Sequence, residues 1–239
     1  MRLLYTATDR VQMFSTEHLV PIVLALGFAV FVVRYAKGIS INKQQNLVHY
    51  LAVFISLSVV AFHVYFSLTT DYNISTDLPL YLCSLLGILI PLYTYYLKYW
   101  MFEVLVFWII AGTIQGVITP DIAEGFPSLD YFRYWIVHLG LLIVIFYSIL
   151  VFGFRPKFKS IFKSFLALQV YIFGMVVINY SLDANYFYLN RKPESASVLD
   201  YLGDWPYYII TAQLAVIPLF ILIYLPFYRA EVSKKSLSK

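Results

Sequence analysis

The chain has 239 residues, 61% of them apolar or aromatic and 13% charged, with a mean hydropathy of +0.76. A soluble domain of this size carries about 25% charged and 45–50% apolar residues, so a soluble globular domain, a disordered chain and a disulfide-stapled secreted module are all excluded. The net charge of +4 takes its meaning from where the basic residues fall, and the single cysteine, Cys83, rules out an intramolecular disulfide.

Seven stretches approach the roughly 20 apolar residues that a helix needs to cross the hydrocarbon core: 17–33, 48–68, 79–97, 100–118, 131–153, 161–182 and 205–228. The first is interrupted by Pro21 and closed by Arg34 and Lys37; no small-residue cleavage site follows it, so it reads as a span and not a signal peptide. Gly87, Pro91, Gly112, Gly174 and Pro218 inside later spans suit close packing or kinks. The 22 Tyr and 20 Phe suit an aromatic belt at the membrane interfaces. The fold class is therefore all-α: a multi-pass membrane protein of one domain, residues 1–239, built as a seven-transmembrane-helix bundle.

Twelve of the 17 basic residues fall in one alternating set of inter-span segments, from Arg34 and Lys37 to the tail at Arg229, Lys234, Lys235 and Lys239. The other set holds Arg2, Arg10, Arg133, Arg191 and Lys192. By the positive-inside rule the N-terminus lies outside and the C-terminus in the cytoplasm, and the cell (plasma) membrane is the expected location. The basic tail suits anionic lipids of the inner leaflet and needs no nucleic-acid partner. The longest outer loop, 183–204, is rich in Asp, Asn, Ser, Pro and Gly, and loops of that length are commonly functional or mobile.

Polar side chains inside spans are costly and so are the first functional candidates. Cys83, His63, Gln115, His138, Asn179 and Gln213 all lie roughly 4–10 Å below the outer end of their spans at 1.5 Å rise per residue, and His18 opens the first span at that face. Every helix thus contributes to one outer layer, while Glu103, near the inner end of the fourth span, is expected to pair with Lys98 or to snorkel. Such a layer reads as the lining of an outward-facing polar cavity; the alternative is interhelical hydrogen bonding. A cysteine and a histidine at one depth are the minimum for nucleophilic acyl chemistry, since the imidazole takes the thiol proton and the thiolate attacks an ester carbonyl. Cys83 as a small packing side chain is the alternative. A zinc-dependent hydrolase is a third reading, but no two histidines share an H-x-x-x-H face. Nucleotide-binding and CxxC motifs are missing, so no cofactor is expected.

Several segments resemble a known family. Leu78-Pro79-Leu80-Tyr81-Leu82-Cys83, then Glu103 with Phe107-Trp108, then Gln115-Gly116-Val117-Ile118-Thr119-Pro120-Asp121, are similar to the YwaF-like bacterial integral membrane proteins, which are related to eukaryotic transmembrane protein 164. The likeness continues through Gly125-Phe126-Pro127, His138, Asn179-Tyr180, Asn185-Tyr186-Phe187-Tyr188-Leu189 and Asp200-Tyr201-Leu202-Gly203-Asp204-Trp205. The resemblance implies a seven-helix fold and, from the eukaryotic branch, a phospholipid acyltransferase with Cys83 as nucleophile and His138 as base. The position two before the cysteine, often histidine in that pattern, is Tyr81 here.

The function expected is a membrane protein that binds phospholipid in an outward-facing pocket and transfers or hydrolyses an acyl chain. His18, His63, Tyr81, Gln115, Asn179, Asn185 and Gln213 are the expected substrate-binding residues around Cys83 and His138. Membrane phospholipids are the expected partners, and no protein partner is inferable. The rival is a non-catalytic, receptor-like or transporter-like ligand-binding bundle.

Overall fold

The computed structural model describes residues 10–122, 124–193 and 197–237. Arg2 and Lys239 lie outside the described residues, as do the side chains beyond Ala230. Seven apolar helices succeed one another along the chain: α1 Thr16–Lys37, α2 Ile41–Thr69, α3 Leu82–Tyr96, α4 Tyr99–Ile118, α5 Leu129–Leu150, α6 Phe158–Leu182 and α7 Tyr207–Leu237. Among the described residues there are no strands. Six of the seven are long and apolar enough to cross a membrane.

The exception is α3, expected over 79–97 but helical for only 15 residues. At 1.5 Å per residue it reaches about 22 Å, short of a hydrocarbon core of roughly 30 Å. Its late start has a local cause. Pro79 lacks the N–H that a helix ladder needs, and Tyr81 is held in an extended conformation as the N-cap. Its end is abrupt as well: Leu97 turns into the left-handed region (φ 44°), and α4 begins two residues later.

Local capping sets the other helix starts. Ser15 accepts from the His18 backbone N–H to open α1, and Ser128 accepts from that of Tyr131 to open α5. The helix α5 is central, with Val137, Leu141, Val144, Ile145 and Tyr147 fully enclosed by its neighbours. Close approach to α2 is possible because position 140 has no side chain: a Cβ there would lie 2.7 Å from the end of Ile55. The outward faces of the other helices carry exposed Leu24, Phe31, Leu57, Leu166, Phe173, Leu214 and Leu222. Apolar surface on this scale is stable only against lipid.

One expected ion pair is replaced by another. Glu103 does not meet Lys98; it is 2% exposed between α4 and α6, accepting from Lys163 Nζ at 2.6 Å and Ser160 Oγ at 2.7 Å. The α4–α6 packing brings the first turns of α6 beside α4, so the nearest cation comes from α6.

Candidate functional site

The end of the bundle at which α1 begins, here the entry face, carries all nine sequence candidates, and several of them are bonded to separate helices and loops. His18 is 3% exposed and fully used. Its Nδ1 accepts the Phe14 backbone N–H at 2.9 Å, so its Nε2 carries the proton and donates to the Val117 carbonyl at 2.8 Å. The ring also stacks on Trp135, so His18 ties the start of α1 to α4 and α5.

Asn179 is spent on a loop. Its amide donates to the Tyr186 carbonyl at 2.9 Å and accepts from the Tyr186 N–H at 2.8 Å. Asn185 organises the same loop by accepting from the N–H groups of Asn190 and Arg191 and donating to the Arg191 carbonyl. Gln213 accepts from Gln169 at 2.9 Å and joins α7 to α6. Gln115 donates to Thr119 Oγ1 at 2.9 Å within its own helix end. His63 faces Tyr72 through a long 3.5 Å contact at Nδ1, and its buried Nε2 has no hydrogen-bond partner.

A smaller group does converge. The fourth span is not a uniform α-helix: Ile109–Thr113 forms a π-helical turn before α-helix resumes at Ile114. One extra residue in a turn rotates the helix beyond it, and such bulges recur at functional sites. Thr113, the last residue of this turn, places Oγ1 3.8 Å from Cys83 Sγ. Gly116, three residues on, lies under the His138 ring, where a Cβ would come within 2.8 Å of Nε2. Positions i and i+3 of a helix are neighbours about 5–6 Å apart, so the thiol of α3 and the imidazole of α5 contact one face of α4 a single turn apart. Cys83 Sγ bonds Thr113 and not the imidazole.

His138 is 8% exposed and stacks on Tyr134, ring centroids 3.9 Å apart. Its Nδ1–H donates to the Tyr134 carbonyl at 2.8 Å, and since a carbonyl only accepts, Nε2 keeps a free lone pair. Tyr134 itself donates to the Gly116 carbonyl at 2.8 Å, which fixes the ring over His138. The Tyr134, Tyr171 and Tyr188 hydroxyls and the Arg133 guanidinium all lie within electrostatic reach of the Cys83 sulfur.

Tyr81 packs its ring against Tyr186 and Tyr188 at 5.4 and 5.3 Å, so the loop after α6 covers the start of α3. That loop is strained: Phe187 and Tyr188 both have left-handed φ, 61° and 54°. Such residues cost about 1–3 kcal/mol each and persist only where surrounding contacts impose them. The Asn179 latch, a bond from Tyr208 to the Tyr188 carbonyl, and Tyr186 bonds to the α2–α3 loop impose them here. Burial and the neighbouring Asp121 carboxylate push the Tyr188 hydroxyl well above its ordinary pKa, so it stays a donor.

Thr113, Gly116, Tyr134, Tyr188 and Arg133 were not among the site residues expected from sequence. A hydroxyl among many in a span and a glycine without an unusual φ carry no distinguishing signal. Among the described residues no three His, Cys, Asp or Glu side chains converge on a point.

No curated protein and no solved structure matches the chain. The sequence model of the TMEM164 family, however, matches residues 13–224. That stretch runs from the approach to α1 nearly to the end of the apolar part of α7 and includes Cys83, Thr113, Gly116 and His138. The chain is a membrane protein with several apolar helices, and it belongs to the TMEM164 family.

Proposed function

We propose that this protein is a phospholipid acyltransferase or acyl hydrolase of the cell membrane, with Cys83 as nucleophile and His138 as general base. In this reading the chain passes through the bilayer seven times, the short α3 together with the non-helical residues before it making the third passage; the N-terminus is outside, and the entry face opens to the outer leaflet. The observation that carries it is the arrangement on α4: Thr113 at the thiol and Gly116 at the imidazole, one turn apart, with His138 Nδ1–H bonded to Tyr134 and Nε2 left without a hydrogen-bond partner among the described residues.

The chemistry is set by those groups. His138 Nε2 takes the thiol proton, the Cys83 sulfur bonds to the ester carbonyl carbon, and the ester C–O bond breaks as the imidazolium returns its proton to the departing alkoxide. The thioester is then attacked by a lysophospholipid hydroxyl or by water, with His138 accepting that proton, and the thiol is restored. The Tyr188 hydroxyl, which interacts electrostatically with the Cys83 sulfur, is the donor assigned to the oxyanion in this reading. Before attack the thiol must leave Thr113 for His138.

The test is turnover of a chain-labelled phospholipid in nanodiscs by the full-length protein. Loss in both Cys83→Ser and His138→Ala, with folding retained, supports the reading; retained turnover in Cys83→Ser defeats it. One observation favours the non-catalytic ligand-binding reading, namely that Sγ bonds to a hydroxyl and not to an imidazole. That reading expects Cys83→Ser and Cys83→Ala to bind ligand as the native protein does.

A further inference from the structure

A second feature of the entry face takes no part in the thiol chemistry. Arg133, on the first turns of α5, donates through Nε and Nη2 to Asp130 Oδ1 at 3.1 and 2.5 Å, and more weakly through Nη1 to Ser84 Oγ at 3.5 Å. Three of its five N–H groups are thereby engaged and two are left without a partner among the described residues. The guanidinium lies 4.6 Å above the Phe62 ring of α2, which holds it at the end of the α2–α5 seam. Beside it on α2 stands His63, whose buried Nε2 lacks a partner.

Directly below runs an apolar groove of about 220 Å³ between α1, α2 and α5. Its walls include Ala25, Leu51, Phe54, Ile136 and Gly140. Arg133, Ile136 and Gly140 recur at i, i+3 and i+7, so the charged group and the groove floor share one stripe of α5. On α2, Phe62 and Ile55 form the matching stripe seven residues apart. Trp135, in the groove wall, has an indole N–H that is buried and unpartnered. Two of the buried polar atoms with no protein partner thus lie at this groove and its mouth, where buried polar groups otherwise find one.

A cation with free N–H groups at the membrane interface and an apolar channel running inward from it match one kind of occupant. We propose that the groove holds an acyl chain of a glycerophospholipid whose phosphate pairs with Arg133. The volume is about seven times the ≈ 30 Å³ share of one water, enough for a run of chain methylenes, and its apolar walls disfavour a charged head group, so the head sits at the Arg133 end. The phosphate uses the N–H edge that Asp130 leaves open, and guanidinium is suited to that anion because its N–H pairs match two oxygens. The inference rests on the phospholipid part of the proposed function and not on the reactivity of Cys83.

The experiment uses the purified full chain in detergent and a phosphatidylglycerol with a diazirine in one acyl chain, cross-linked sites being mapped by peptide mass spectrometry. Labelling is expected on Leu51, Phe54 and Ile136, falling about tenfold in Arg133→Gln and restored in part in Arg133→Lys, which keeps the charge and loses the paired N–H groups. Ala25→Trp fills the groove without touching Arg133 and is expected to abolish labelling there; it carries the test if Arg133→Gln fails to fold. A diacylglycerol with the same photoreactive chain is expected to label at about a tenth of that level, and millimolar inorganic phosphate is expected not to compete. Equal labelling by the diacylglycerol, labelling confined to α6 and α7, or full competition by inorganic phosphate overturns the proposal. The readout needs no turnover, so failure of the groove and failure of the acyl chemistry are separate results.

Discussion

Thr113 and Gly116 stand three residues apart on α4, and the first touches the Cys83 sulfur while the second lies under the His138 ring. The π-helical turn that ends at Thr113 sets which way this face points. A single helix surface therefore positions a nucleophile from α3 and a base from α5, and the proposed acyl chemistry depends on that surface.

Gly116→Ala tests it without touching either reactive group. Alanine in a helix interior is ordinarily about 1 kcal/mol better than glycine. Here the added Cβ would lie 2.7 Å from His138 Cδ2 and 3.1 Å from the Tyr134 hydroxyl, so the imidazole or the α4–α5 packing must give way. The expected outcome is destabilisation by about 1–3 kcal/mol, with a larger loss of lipid turnover. Thermal unfolding in detergent measures the first, and a melting temperature at or above that of the native protein counts against the geometry.

The layer of polar residues was legible in the sequence as depth and not as direction. Counting from a span end gives only how far along their helices His18, Asn179 and Gln213 stand. It does not show that His18 is consumed by Phe14 and Val117, Asn179 by Tyr186, and Gln213 by Gln169. Those partners come from other helices and loops, whose facing depends on packing. The six long spans were readable because each needs only a run of apolar residues. The shortness of α3 was signalled by Pro79, but the apolar residues around it masked the break. The π-turn left no trace, since Ile109-Ile110-Ala111-Gly112-Thr113 continues the apolar run unchanged.

Asn179→Ala removes both bonds to the Tyr186 backbone. The loop that they hold contains two left-handed, non-glycine residues, so it is expected to relax away from Tyr81 once the latch is gone. Hydrogen exchange over 185–191 should speed by about tenfold or more while α5 stays protected. Unchanged exchange in the loop means that Tyr208 and Tyr186 alone hold it.

The Glu103–Lys163 pair predicts an asymmetry. The carboxylate side is 3% exposed and the lysine side 55% exposed. Lys163→Ala strands a buried carboxylate and should cost about 3 kcal/mol or more. Glu103→Ala leaves a cation that can turn to water and should cost less. Glu103→Gln keeps a hydrogen-bond acceptor for Ser160 and should cost least. Unfolding of the three variants in one detergent ranks them; equal costs mean that the pair is not effectively buried.

Intact-mass spectrometry of the full chain, after incubation with phospholipids bearing a labelled acyl chain, tests the central claim most directly. The chain has one cysteine, so a single adduct of acyl mass that hydroxylamine removes and Cys83→Ser lacks identifies a thioester. Acyl transfer through Cys83 predicts that adduct, with its formation slowed about 100-fold or more in His138→Ala. Absence of both adduct and turnover, with His138→Ala indistinguishable from the native protein, contradicts acyl transfer and leaves a ligand-binding bundle.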